Sequence, residues 1–88
     1  MDFIDEQREI FEHFGEKAQW GKLLEEMVEL IEAENSGNIE HIEEELADVH
    51  NVLMQLIGHY NTHRINDIAI AKIERTKMRI KECYYNER

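Results

Sequence analysis

The chain contains no proline, a single cysteine and only 4 glycines in 88 residues. Without proline, no residue is forced to break a helix by lacking a backbone N–H. Long helices joined by short turns are therefore expected. One cysteine, Cys83, excludes an intrachain disulfide and fits a reducing compartment. A semi-buried position is expected for it. Cations are also scarce, with 10 Lys and Arg against 20 Asp and Glu, for a formal net charge of −10. That balance argues against a general nucleic-acid surface. No long uncharged apolar run is present, and the first residues, MDFIDEQREI, are acidic. Neither a membrane span nor a secretory signal is expected. The composition points to one cytoplasmic domain over residues 1–88. At that length a single core is marginal, so a second copy of the chain is the expected source of further burial.

What the sequence does contain is helical periodicity. Apolar residues recur at spacings of three and four, and no alternating strand-like run appears. The pattern predicts an all-α, compact four-helix bundle. Its first helix runs about Phe3 to Phe14 with Asp2 as N-cap. The second runs about Ala18 to Glu34 and stops at NSGN, a turn signal. The third spans about Ile39 to Tyr60 and ends at NTHRIN. The fourth starts near Asn66 or slightly earlier and reaches about Tyr85.

Advancing 100° per residue sorts these helices into faces. On the second, Trp20, Leu23, Leu24, Met27, Leu30 and Ile31 form one apolar arc, expected to face the core. Glu26 lies at its edge and Glu29 roughly 60° further round. Glu25 and Glu32 point further toward solvent, as in an ordinary charged face. On the third helix the arc is Ile42, Leu46, Val49, Leu53, Leu56, Ile57 and Tyr60. Asp48 lies just outside it, whereas Glu45 falls inside, between Val52 and Leu56. A carboxylate in apolar surroundings costs several kcal/mol, on the order of the desolvation penalty, unless paired or bound to a cation. Two pairs at i,i+3 thus arise, Glu26 with Glu29 and Glu45 with Asp48. Antiparallel packing across NSGN would bring all four together. An all-oxygen set suits hard Mg²⁺ or Mn²⁺ and suits zinc poorly. It is not a ferritin-like di-iron pattern, since Glu-x-x-His occurs nowhere.

The fourth helix, IAIAKIERTKMRIK, places Lys72, Arg75 and Arg79 along the edge of an arc of Ala69, Ile70, Ile73, Ile80 and Tyr84. In so acidic a chain, that stripe either salt-bridges neighbouring acids or receives an anion, and phosphate is the natural one. A divalent cation beside Arg and Lys is what polyphosphate chemistry requires. Other candidates carry less. His59 and His63 share the i,i+4 spacing of a metal pair but fall at a helix end. His41 and His50 read as surface residues, and Trp20, Phe3, Phe11 and Phe14 as core. Gln19, one turn before Lys22 and two before Glu26, either reads a nucleobase or is exposed.

KLLEEMVEL followed by EEELADV resembles the E-x-x-E … E-x-x-D signature of the MazG-like, all-α nucleoside triphosphate pyrophosphohydrolases, here Glu26-x-x-Glu29 and Glu45-x-x-Asp48. KIERTKMRI is similar to the basic segment of small members, and the resemblance spans roughly Gln19 to Ile80. It implies a Mg²⁺-dependent enzyme converting a (d)NTP to the monophosphate and pyrophosphate, with the cleansing of nucleotide pools as the implied role. Relatives include dimeric dUTPases and dCTP pyrophosphatases, so a dimer or tetramer is implied. Carried over by motif position, Glu26, Glu29, Glu45 and Asp48 would hold the metal. Glu25 or one of those four would orient water, and Lys72, Arg75 and Arg79 would neutralise phosphates. Asn51 would contact sugar or base, with Gln19 and Lys22 also on the substrate side. No second domain or base-recognition insert is evident, which leaves substrate choice open. The alternative is a catalytically silent module of the same fold serving oligomerisation or nucleotide sensing.

Overall fold

The computed structural model describes residues 4–86, and the side-chain surroundings of residues 4–83. Asp2 and Phe3 lie outside the described residues, as do the side-chain surroundings of Tyr84. Four helices follow in order, α1 (Ile4–Phe14), α2 (Glu16–Ser36), α3 (Ile39–His59) and α4 (Thr62–Asn86), with no strand among the described residues. None of these helices is long and apolar enough to cross a membrane.

The breaks have local causes. Between α1 and α2 the chain turns at Gly15, whose φ of 90° is strained for any residue with a Cβ. Helix α2 ends at Gly37, left-handed at φ 74°, with its N–H donating to the Glu34 carbonyl. Asn38 then caps α3, its side chain accepting from the His41 N–H at 3.2 Å. NSGN is therefore a turn, as its composition suggests. NTHRIN is a turn for only its first residue. The Asn61 Oδ1 accepts from the Arg64 N–H at 3.0 Å, which starts α4 at Thr62, about one turn before the expected Asn66.

Helices α2 and α3 form the closest pair and run antiparallel. Glu26 meets Glu45 and Asp48 near the turn, and Gln19, further back, meets Gln55. Helix α1 packs on α3 and α2, whereas α4 touches α3 alone.

The apolar arcs face inward only in part, with Leu56 buried and Leu23, Leu30, Ile42, Val49 and Ile57 half-buried. On α2 the buried residues are Gln19, Glu26 and Ala33, spaced by seven, and this line lies roughly 100° round from the apolar arc. Trp20, Leu24, Met27 and Ile31 are exposed, Leu24 by 67% and Ile31 by 61%. On α3 the buried face is Glu45, Val52, Gln55 and Leu56, while Leu46, Leu53 and Tyr60 are exposed. Cys83 is exposed rather than semi-buried. Among the described residues, only Ala33, Val52 and Leu56 are buried apolar ones. The accessible surface is 7521 Å², against roughly 5,500 Å² for a compact monomer of this mass. The radius of gyration, 16.8 Å, likewise exceeds the value of about 12 Å typical of such a length.

Candidate active site

The site grows from the seam between α2 and α3. Residues seven apart on a helix return to nearly the same face, so Glu26 sits in line with the buried Gln19 and Ala33. Glu45 stands seven before the buried Val52 on α3 for the same reason. Glu26 is 4% exposed and Glu45 9%, and Asp48 reaches the pair from the solvent side. One oxygen from each of Glu26, Glu45 and Asp48 lies within 4.8 Å of the other two. Glu25, Glu26 and Glu29 form a second triplet within the same distance, Glu26 being common to both. Glu25 is exposed and Glu29 half-buried. All four acids of the paired motif therefore converge on one region, with Glu25 beside them.

The two buried carboxylates differ in their surroundings. Lys22 Nζ lies 3.0 Å from Glu26 Oε1 and 3.9 Å from Glu25 Oε1. The hydrogen bond from Lys22 outweighs burial and holds Glu26 below the usual carboxylate range. The same contact raises the Lys22 ammonium. Glu45 is shifted the other way, first by burial and then by the negative charges of Glu29, Glu26 and Asp48. Its Oε1 faces His41 Nε2 at 3.5 Å. In both residues Oε2 is enclosed and has no hydrogen-bond partner among the described residues.

Buried polar atoms without partners are rare and costly, on the order of 1–3 kcal/mol each. Two such oxygens on facing helices, with further carboxylates adjoining, match the needs of a hard divalent cation. The residues present fit such an ion. A cleft of about 250 Å³ adjoins them, lined by Gln19, Lys22, Glu26, Asp48, Asn51 and Gln55 together with Ile10, Phe14 and Val52. Gln19 is buried, not exposed, and Gln19, Lys22 and Asn51 line the cleft together with Glu26 and Asp48.

Lys72, Arg75 and Arg79 are placed elsewhere. They are exposed on α4, which packs on neither α1 nor α2, and no carboxylate among the described residues lies within ion-pair distance of them. His59 turns to Glu16 at 3.3 Å and stacks on Phe11, while His63 is exposed, so the two do not form a metal pair. Phe11 is half-buried, whereas Phe14 and Trp20 are exposed.

Helical periodicity does not single out Gln55 and Gln7. Gln55 Nε2 donates to Gln7 Oε1 at 2.8 Å, and Gln55 Oε1 accepts from Gln19 Nε2 at 2.6 Å. Gln55 lies outside the apolar arc of α3 and is buried because α1 covers that flank. The only sequence signal is its place one turn beyond Asn51.

Comparison with curated proteins and with solved structures returned no match. The MazG nucleotide pyrophosphohydrolase domain matches residues 14–82, a span that contains α2, α3 and nearly all of α4. With four helices, no strand among the described residues and the paired acids gathered between α2 and α3, the chain belongs to the MazG nucleotide pyrophosphohydrolase family.

Proposed function

We propose that this protein is a cytoplasmic, Mg²⁺-dependent enzyme that hydrolyses a (d)NTP to the nucleoside monophosphate and pyrophosphate. The observation that carries this reading is the pair of buried, unpartnered oxygens on Glu26 and Glu45 beside Asp48. Glu26, Glu29, Glu45 and Asp48 hold the ion, and Mn²⁺ can replace Mg²⁺. Bound there, the cation supplies Lewis-acid polarisation of phosphoryl oxygen and acidifies water. Lys22 keeps Glu26 ionised and so ready to ligate. Glu25, or one of the four ligands, orients the attacking water. Gln19 and Asn51, on the cleft wall, hold the nucleoside.

Phosphate charge requires cations, and Lys72, Arg75 and Arg79 remain on a helix that stands apart from the cleft of its own chain. A homo-oligomer, dimer or tetramer, resolves this by bringing α4 of a second copy toward the acids. Two exposed apolar stripes support that assembly, Trp20, Leu24, Met27 and Ile31 on α2 and Ile70, Ile73 and Ile80 on α4. The surface in excess of a compact monomer, roughly 2,000 Å², is what a stable interface would cover.

Pyrophosphate release should be measured over a panel of canonical and oxidised (d)NTPs, with Mg²⁺ and with EDTA. Metal-dependent release from at least one nucleotide is expected. No release from any of them, with the metal bound, would leave a silent helical module in its place.

A further inference from the structure

Four amides form a continuous chain that starts in the cleft at Gln19, passes behind it through Gln7 on α1 and returns to it at Asn51. Gln19 Nε2 donates to Gln55 Oε1 at 2.6 Å, Gln55 Nε2 to Gln7 Oε1 at 2.8 Å, and Gln7 Nε2 to Asn51 Oδ1 at 3.0 Å. All three bonds run in the same direction. Gln19 and Gln55 are each more than nine-tenths buried, Gln7 is half-buried, and Asn51 is exposed at the cleft. Gln19, Gln55 and Asn51 line the cleft beside Glu26 and Asp48, whereas Gln7 belongs to α1 and lines the neighbouring groove instead.

A primary amide has an acceptor on one side and donors on the other. Reversing one link of this chain would set oxygen against oxygen at one joint and N–H against N–H at the other. In a buried site each mismatch is expensive, so the amides hold one direction together. Gln19 is the end of the chain nearest Lys22. Its Oε1 has no partner within the described residues and is not enclosed, and one N–H remains free. Its acceptor and donor therefore keep one order unless all four amides turn over together, and Gln7 and Gln55 are the links that couple them.

Bases differ in that order. Cytosine and adenine set an exocyclic N–H beside a ring-nitrogen acceptor, whereas uracil, thymine and guanine set an exocyclic carbonyl beside a ring N–H. A freely turning amide suits either kind, and a locked one suits only one. We propose, on the reading of this cleft as a nucleotide site, that Gln55 and Gln7 are positioning residues which lock the Gln19 amide and make the enzyme discriminate amino from keto bases. Gln7 never touches the nucleotide. It acts through Gln55.

Cytosine and uracil test this at constant ring size. Dissociation constants for the α,β-methylene analogues of dCTP and dUTP should be measured with Mg²⁺, alongside pyrophosphate release from the parent nucleotides. The wild-type protein should favour one of the two by on the order of ten- to a hundredfold, the loss expected from a mismatched buried amide. Gln7→Met removes the acceptor that pins Gln55, and the preference should fall to within about threefold as the disfavoured base gains. Gln7→Glu keeps an acceptor for Gln55 Nε2 and should restore the preference. Gln55→Met, with helicity checked by circular dichroism, should behave as Gln7→Met. A wild-type preference below threefold, or one unchanged in Gln7→Met, overturns the lock. Selective binding without pyrophosphate release would support the lock while removing the enzymatic reading. Binding of neither analogue would overturn the lock, whereas the enzymatic reading falls only if no nucleotide of the wider panel releases pyrophosphate.

Discussion

Glu26 and Glu45 face each other from α2 and α3 with ligand oxygens within 4.8 Å, and each keeps an enclosed Oε2 that no group among the described residues satisfies. Their neighbours pull them apart. Lys22 holds Glu26 ionised, while burial and the surrounding acids push Glu45 toward its neutral form. An arrangement of this kind is costly when empty and favourable around a divalent cation.

The first consequence concerns Glu45→Gln. The amide is nearly isosteric, so helicity should persist while metal-dependent turnover falls by orders of magnitude, as expected for loss of a hard-cation ligand. Glu32, exposed on α2, is the control, and Glu32→Gln should retain turnover. Equal activity in the two variants would return the acids to an ordinary charged face.

The same variant has a pH signature in metal-free buffer. A carboxyl whose pKa is raised on folding favours the folded state fully only below its unfolded value, about 4.3 for glutamate. That benefit is lost as the pH rises through the folded value, so ionised Glu45 weakens the fold at neutral pH. Glu45→Gln should therefore melt higher than the parent at pH 7, with the gap closing toward pH 4. Melting curves in EDTA across that range would expose a gap of the wrong sign.

Metal should stabilise the parent protein. A ligand at 100 times its dissociation constant adds about 2.7 kcal/mol by linkage. Melting in millimolar Mg²⁺ or Mn²⁺ should lie several degrees above melting in EDTA, and Glu45→Gln should lose most of that difference. Superimposed curves for the parent would show that the cluster binds no ion.

Leu24 reports on assembly. It is exposed within one chain, so Leu24→Glu would cost a monomer little. In an oligomer that buries the α2 stripe it would place an unpaired charge in an apolar interface. Light scattering should give at least a dimer for the parent at micromolar concentration and a smaller species for the variant. A monomeric parent would refute the assembly outright.

Glu16 ties the start of α2 to the end of α3. Its carboxylate accepts from the Tyr60 hydroxyl and meets His59 at 3.3 Å, and the Tyr60 bond holds it below the usual carboxylate range while raising the Tyr60 phenol. A depressed carboxyl contributes stability above its unfolded pKa, about 4.3, and loses it as the pH falls through the folded value. Glu16→Gln should lower the melting temperature at pH 7, and the difference should shrink below about pH 4. A difference constant down to pH 3 would assign the effect to packing.

Helix existence and type were legible in the sequence because they rest on local causes, the three-and-four spacing and the NSGN turn, whereas the Gly15 break and the Asn38 cap emerged with the structure. Glu45 was legible too, since a carboxylate between Val52 and Leu56 stands out on a wheel without any knowledge of the neighbouring helix. The Glu26-x-x-Glu29 and Glu45-x-x-Asp48 spacings likewise follow from one helix at a time. Which side of α2 faces inward was not legible. A wheel ranks faces by hydrophobicity, and the packed chain instead turned the Gln19, Glu26 and Ala33 line inward, leaving the Trp20 to Ile31 stripe open. Only tertiary structure could decide this, because both faces can be buried, one within the chain and the other against a second surface. The amide chain from Gln19 to Asn51 is tertiary for the same reason. It joins residues 36, 48 and 44 positions apart on three helices, and no local pattern encodes which amides will meet.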